Sequence, residues 1–438
     1  MTRLLASTAT AAIIALGTPS AALALQPPAS APATDSAFDK RAAQLVDLLD
    51  GKIAFADYFD PSFQKAIPEA QFKTFTSSLI AQYGKPVAID RATPARGRSG
   101  TVLLRFERGV ATVLLDVGVA ADERVTGLRV TGVTVAKDSF DEVVAEIAAL
   151  PGQTGFLVAE LGEAGIRPLA SANADRQFAV GSTIKLYILG ELAAQVAAGK
   201  RKWSDVVPLS HFSFSSAGTA NWPAETPVTL QTLANWMISV SDNGATDTLI
   251  HLIGRAPIEA RMKSTGHSDP SRNIPLLTTV EAFALKGNNF NDLRPIFIKG
   301  DDAAQRKLIE SNQNRLTLAN VDGISFTDGP RFIDSLGWFA SPNDIARLMV
   351  DLRARQSKTL LAAMAINNGV GPVAAADWKY LGYKGGSENG VLSMSLLGQR
   401  KSDGKWFVVA ASWNNVTANI DTDRMAGLVT RLLALAAK

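Results

Sequence analysis

Ser182 and Lys185 stand three residues apart in Gly181-Ser182-Thr183-Ile184-Lys185, at the mouth of an apolar run that continues through Leu186, Tyr187, Ile188, Leu189 and Leu192. Gly181 supplies a turn, and the run reads as a helix with Ser182 in its first turn. There, unpaired backbone N–H groups and the positive end of the dipole favour a developing negative charge. A spacing of three puts Lys185 on the same helical face as Ser182. A serine hydroxyl is a weak nucleophile until a base removes its proton, and a lysine can be that base only where its surroundings lower its pKa. Ser-x-x-Lys also recurs by chance in any long chain, so its meaning depends on what else the chain supplies.

Two further clusters follow in order. Ser241-Asp242-Asn243 comes after a helix-like run, and Lys384-Gly385-Gly386 opens a strand-like one. Together the three resemble the S-x-x-K, S-D-N, K-T-G signature of the penicillin-recognising serine hydrolases, with class A β-lactamases as the nearest comparison, over residues 140–438. The resemblance implies Ser182 as nucleophile and Lys185 as the base or the residue that tunes it. Ser241 would relay a proton to the leaving nitrogen, Asn243 would orient substrate and Lys185, and Lys384 would add positive charge toward a substrate carboxylate. The backbone N–H groups of Ser182 and Ser387 would form the oxyanion site, beside Gly385 and Gly386. Asp242 reads better as an inward-turned holder of its loop.

The chain departs from that signature twice. Gly385 stands where the family carries a hydroxyl that holds a substrate carboxylate; Ser387, or the nearby Glu388 and Asn389, are the groups placed to compensate. The class A glutamate of the E-x-x-L-N loop, which drives deacylation, has no match. Between Asn243 and Ser341 the glutamates are Glu259, Glu281 and Glu310. Glu310 keeps the Glu-to-Asn spacing with Asn314 but lacks the leucine, and Glu281 reads as support for a helix N-terminus. Deacylation is therefore expected to be slow or to use a different group. Phe214 and Trp222 lie in a loop that could wall the site, though structural packing explains them better.

Composition narrows the alternatives. The 438 residues are 47% hydrophobic and 19% charged, enough for two or three packed domains. A net charge of +3 without basic runs interleaved with aromatics gives no reason to expect a nucleic-acid partner. The absence of cysteine removes disulfides, thiol nucleophiles and zinc–thiolate sites. The three histidines, His211, His251 and His267, show no paired-ligand spacing, so neither metal nor cofactor is expected; the expected partner is a small-molecule substrate.

Residues 1–24 read as a secretory signal: Arg3, an alanine-rich apolar stretch over 4–16, and an Ala22-Leu23-Ala24 cleavage site. The apolar stretch is too short for a membrane span, which needs roughly 20 residues. Residues 25–36 form a Pro/Ala/Ser-rich lead-in. Residues 37–136 read as a small α+β domain: helices, then strands at 101–107, 110–117 and 125–135. Their pattern resembles the ketosteroid-isomerase-like cones. Asp60, Asp90, Asp116 and Glu107 are its carboxylates, and nothing pairs them for chemistry. Residues 137–438 are expected to form an antiparallel sheet flanked by helices, with an all-helical subdomain between. The fold class is thus α+β throughout, and the location periplasmic or secreted with no stable membrane anchor after processing. The mature chain is expected to begin near Leu25, and mass spectrometry of exported material that found Met1 intact would refute this.

Overall fold

The computed structural model describes residues 36–95, 98–135, 138–163, 165–370 and 374–438. The signal sequence and nearly all of the lead-in lie outside the described residues. The first unit opens with helices α1 (Ser36–Ala43), α2 (Leu45–Leu49), α3 (Phe55–Tyr58), α4 (Pro61–Ala66) and α5 (Glu69–Tyr83). A four-stranded antiparallel sheet follows, in the order β1 (Pro86–Pro94), β2 (Ser99–Phe106), β3 (Gly109–Val117) and β4 (Val125–Thr134). Along β3 every second residue is buried, the period of a strand with one face on a core. Phe55, Phe59, Phe63 and Phe72 fill that core, with Phe59 and Phe63 stacked 4.1 Å apart. The carboxylates of this unit have structural work: Asp60 caps α4, Asp90 pairs with Arg105, and Glu107 accepts from the Lys85 N–H.

β1 is a strand that sequence reasoning missed. It is the edge of its sheet, half exposed, bounded by Pro86 and Pro94, and its polar Asp90-Arg91 centre breaks the apolar alternation. Prolines are tolerated at such edges because outward N–H groups need no ladder partner.

The second unit is built on a five-stranded antiparallel sheet in the order β11 (Trp378–Glu388), β12 (Val391–Arg400), β13 (Trp406–Asn414), β5 (Gln153–Gly162) and β6 (Gly165–Ala172). β12 and β13 are buried almost end to end, as their near-continuous apolar sequences require. One face is covered by α6 (Phe140–Ala148) and the C-terminal helix, which pack on each other. The larger core lies on the other face, around α7 (Lys185–Ala197). Two short strand pairs complete the β structure, β7 (Phe178–Ala179) with β10 (Phe339–Ala340) and β8 (Val206–Pro208) with β9 (Pro227–Thr229).

The expected helical subdomain consists of α8 (Leu230–Ser239), α9 (Asn243–Ile253), α10 (Arg255–Ser264), α11 (Thr279–Lys286), α12 (Arg294–Lys299) and α13 (Asp302–Ser311). The chain then returns to the sheet through α14 (Pro342–Ala354) and α15 (Lys358–Ala365), and ends in α16 (Thr422–Ala436). α14 starts as its sequence indicates, with Ser341 and Asp344 forming a reciprocal capping box ahead of Pro342. Arg431 on α16 binds Asp138 bidentately and also Glu146 of α6, fastening the two ends of this unit together. No helix among the described residues is long and apolar enough to cross a membrane.

Side chains anchor the turn that carries Ser182 to the sheet, and Thr183 Oγ1 donates to Ser393 Oγ of β12 at 3.1 Å. Asn414, at the end of β13, accepts from the Ala179 N–H at 2.8 Å and donates to the Ala179 carbonyl at 3.0 Å. The Val180 N–H then bonds to the Trp338 carbonyl. Asn414→Ala should leave two buried backbone groups without partners, at about 1–3 kcal/mol each for desolvation. Urea unfolding should show the loss and Ser182 should acylate more slowly; an unchanged midpoint would remove Asn414 from this role.

Candidate active site

Lys185 is the first residue of α7 and its side chain is fully buried. A buried ammonium needs oxygen partners in place of water. Here Nζ donates to the Ser241 carbonyl at 2.6 Å, to Ser241 Oγ at 3.2 Å and to Asn243 Oδ1 at 2.6 Å. Ser241 presents both groups because its backbone is left-handed, with φ +60°. Helix ends often turn this way at glycine; a serine there pays a steric cost, of the kind found where side chains are functional. Asp242 turns inward, as expected. It caps α9 and takes hydrogen bonds from the Gly218 and Thr219 N–H groups and the Thr219 hydroxyl. Asn243 is oriented in turn by donating to the Phe214 carbonyl.

Lys384 is also buried, on β11. Its Nζ donates to Ser241 Oγ at 3.0 Å and to the Gly385 carbonyl. Ser241 Oγ thus receives hydrogen bonds from two lysines, which occupies both of its lone pairs and leaves its own proton to be directed elsewhere. Burial lowers the Lys185 pKa to about 7, against the opposing pull of Asp247 and then Asp242. Burial, reinforced by the charge of Lys185, holds Lys384 well below the ordinary lysine range.

Asp247 was not anticipated. It lies one turn beyond Asn243 on the buried face of α9, and accepts from the Thr279 N–H at 2.7 Å and the Val280 N–H at 3.0 Å. Burial raises its pKa to about 6, with those two N–H groups opposing. The available signal was a carboxylate four residues after Asn243 on an otherwise apolar helix face.

Ser182 sits in the short 3-10 turn Gly181–Ile184 that leads into α7, partly exposed. Among the described residues its Oγ makes no hydrogen bond. The turn lies directly against β11. Gly181 has φ +49°, and a Cβ there would come within 3.2 Å of the Ser387 nitrogen. A Cβ on Gly386 would collide with the Val180 carbonyl and lie 2.5 Å from the Ser182 nitrogen. Both glycines therefore permit an approach that brings the Ser182 and Ser387 N–H groups to one place. β11 is the edge strand of its sheet, so its outward N–H groups are not consumed by a ladder.

The remaining sequence candidates fall outside this cluster or have other partners. Glu281 completes the capping box of α11 and binds Arg255. Glu259 accepts from the Leu276 N–H and pairs with Arg306. Glu310 is exposed on α13. Glu388 is bound by Lys286, and the Asn389 amide donates to the Phe326 and Gly329 carbonyls. Neither is available in the compensating role considered for it. Phe214 packs on Phe283 and Phe326, and Trp222 meets Trp236 edge-on. His211 and His251 stack 3.7 Å apart.

Residues 137–365, more than half of the chain, match the model of the beta-lactamase enzyme family. The chain belongs to that family. It is accordingly a serine hydrolase that works through an acyl-enzyme, and its family acts on small molecules. Solved structures similar to it include a beta-lactamase from Sphaerobacter thermophilus DSM 20745, at 21% identity over 68% of this chain and 97% of the other, TM-score 0.47. PBP-A is similar at 15% identity over 68% and 94%, TM-score 0.46. A beta-lactamase from Chitinophaga pinensis DSM 2588 is similar at 16% identity over 68% and 97%, TM-score 0.44. Comparison with curated proteins gives no match.

A base must be neutral to take a proton, so acylation should accelerate as pH rises through about 7, the value to which burial lowers Lys185. The same shift sets a stability trend. Between about 7 and the ordinary lysine value of 10.5 the unfolded chain binds the proton and the folded chain does not, so this group's destabilisation shrinks as pH rises across that window. Intact-mass measurement of adduct formation between pH 5 and 9 should show the rise, and Lys185→Arg should abolish the adduct. A flat profile would exclude Lys185 as the base.

Proposed function

We propose that the protein is an exported hydrolase that opens a β-lactam, or a related amide or ester, at Ser182. The observation that supports this reading best is the lysine pair sharing Ser241 Oγ. In the proposed sequence neutral Lys185 removes the Ser182 proton and Oγ adds to the carbonyl carbon. The oxyanion that forms is held by the Ser182 and Ser387 N–H groups; one such donor is typically worth 10²–10³ in rate. Collapse of the tetrahedral adduct breaks the C–N bond, and the Ser241 proton passes to the departing nitrogen. Ser241 is then reprotonated from a neighbouring lysine. Gly386 lets the Ser182 turn lie against β11. Export rests on the charged start, apolar stretch and Ala22-Leu23-Ala24 of the sequence.

Deacylation needs a water activated against the ester, and a placed base contributes roughly 10²–10⁴-fold. Glu259 and Glu281 have ion-pair partners, Glu310 is exposed, and both oxygens of Asp247 accept backbone N–H groups. This favours, as a second reading, a penicillin-sensing protein in which the acyl-enzyme persists. An esterase or peptidoglycan peptidase would use the same acylating groups. Incubation with a fluorescent penicillin and a chromogenic cephalosporin should give a burst of one product per Ser182, then slow turnover, with the adduct visible by mass. Ser182→Ala should abolish both, and Glu310→Gln should leave the slow phase unchanged. Fast linear turnover that Glu310→Gln removes would make Glu310 the deacylating base.

A further inference from the structure

The end of β11 is held by its sheet on one side only. β12 pairs with it there, while its other edge carries no strand among the described residues. The two residues before Ser387 are glycines, which bring no side chains to pack and have the loosest backbone of any residue type. Ser387 itself is exposed. The strand ends at Glu388, whose side chain falls on the same face of the sheet as Lys384 and Gly386, because alternate residues of a strand share a face.

Lys286, the last residue of α11, meets Glu388 on that face. Its side chain is only 4% exposed, and Nζ donates to both Glu388 oxygens, at 2.7 and 2.5 Å. A pair shielded from water holds its geometry more firmly than one at the surface, and removal of one partner leaves the other charge uncompensated. The backbone beneath Lys286 is fixed as well. The Lys286 carbonyl accepts from Arg331 Nε at 3.1 Å, and the flanking Leu285 and Gly287 carbonyls accept from Arg294.

The other end of α11 reaches the proton-relay side of the site. Its first two N–H groups are held by Asp247 of α9, one turn beyond Asn243. The eight residues of α11 span about 12 Å. One short helix therefore runs from the element that carries Asn243 to the strand end that carries the Ser387 N–H. Lys384 Nζ, bonded to Ser241 Oγ, joins the same two parts further back along β11.

We propose that Lys286 and Glu388 are positioning residues for acyl transfer: their ion pair braces the end of β11 against α11 and so fixes the Ser387 N–H relative to Ser182. Neither residue touches the substrate. This rests on the acyl-enzyme reading of Ser182. The brace acts on the rate of the chemical step, because an oxyanion donor matters most once charge has moved onto the carbonyl oxygen.

The test uses Glu388→Gln, Lys286→Met and the double variant in the full chain, with folding followed by thermal melting. Glu388→Gln keeps the shape of the side chain and removes its charge, so it decides the matter even where Lys286→Met does not fold. Rapid-mixing kinetics with penicillin G and with p-nitrophenyl acetate separate the binding constant from the limiting acylation rate. A lost oxyanion donor is worth roughly 10²–10³, so a displaced one should slow the limiting rate about tenfold to a hundredfold, with the binding constant within about twofold. The double variant should be no slower than the slower single, as for two residues that act through one contact. In infrared difference spectra the ester carbonyl of the acyl-enzyme should move to higher frequency, the mark of weaker hydrogen bonding to its oxygen. A Glu388→Gln variant with unchanged limiting rate and carbonyl band, or one that only binds more weakly, would overturn the brace. A wild type that reacts with the ester and not with penicillin G would overturn the β-lactam reading, and the ester would then decide the brace by the same criteria. A wild type that neither compound acylates would overturn the acyl-enzyme reading and the brace with it.

Discussion

A buried ammonium with three oxygen partners is the constraint from which this active site follows. Lys185 Nζ has no contact with solvent, and its stability depends on the Ser241 carbonyl, Ser241 Oγ and Asn243 Oδ1. An unpaired charge in such a place would be prohibitively costly. The turn between α8 and α9 must therefore hold its shape. That demand explains the left-handed Ser241, the four hydrogen bonds accepted by Asp242, and the tether from Asn243 to the Phe214 carbonyl. The subdomain that supplies these groups is joined to the sheet through them.

The electrostatics are balanced on a small scale. Two lysines share one hydroxyl, which raises the cost of charging both, while Asp242 and Asp247 lie close enough to oppose full discharge. Such a cluster titrates as a unit, and its apparent values belong to the group. Asp247 has a second task. By holding the first two N–H groups of α11 it fixes that helix to α9, and Thr279 continues the link through Ser213 and the Asn243 carbonyl. One carboxylate thus serves both the charge balance and the packing of two helices.

The three motifs were legible because reactive geometry demands particular residue types at fixed spacing; Lys185, Ser241, Asn243 and Lys384 share one hydrogen-bonded cluster, and the Ser182 turn lies against β11. The main strands and the C-terminal helix were legible from apolar periodicity. What escaped notice obeys other rules. β1 is an edge strand whose polar centre hides its alternation. Asp247 is a charged residue on an apolar face, which becomes intelligible only once the α11 N-terminus is known to sit opposite. Glu388 and Asn389 looked available because their partners, Lys286, Phe326 and Gly329, lie 60 to 102 residues away in sequence.

The order of strands has a further effect, on how the chain reaches this structure. β5, the first strand of its sheet to be synthesised, pairs with β13, the last, and α6 is fastened to α16 by Arg431. The sheet therefore cannot close, and the Ser182 turn cannot be bracketed by Asn414, until the final strand has left the ribosome. Pairings of such long range are slow to form, because the loop must be closed before any contact compensates for its lost entropy. The β5–β6 hairpin and the helical subdomain precede this step in the chain, so the joining of β5 to β13 is left for last.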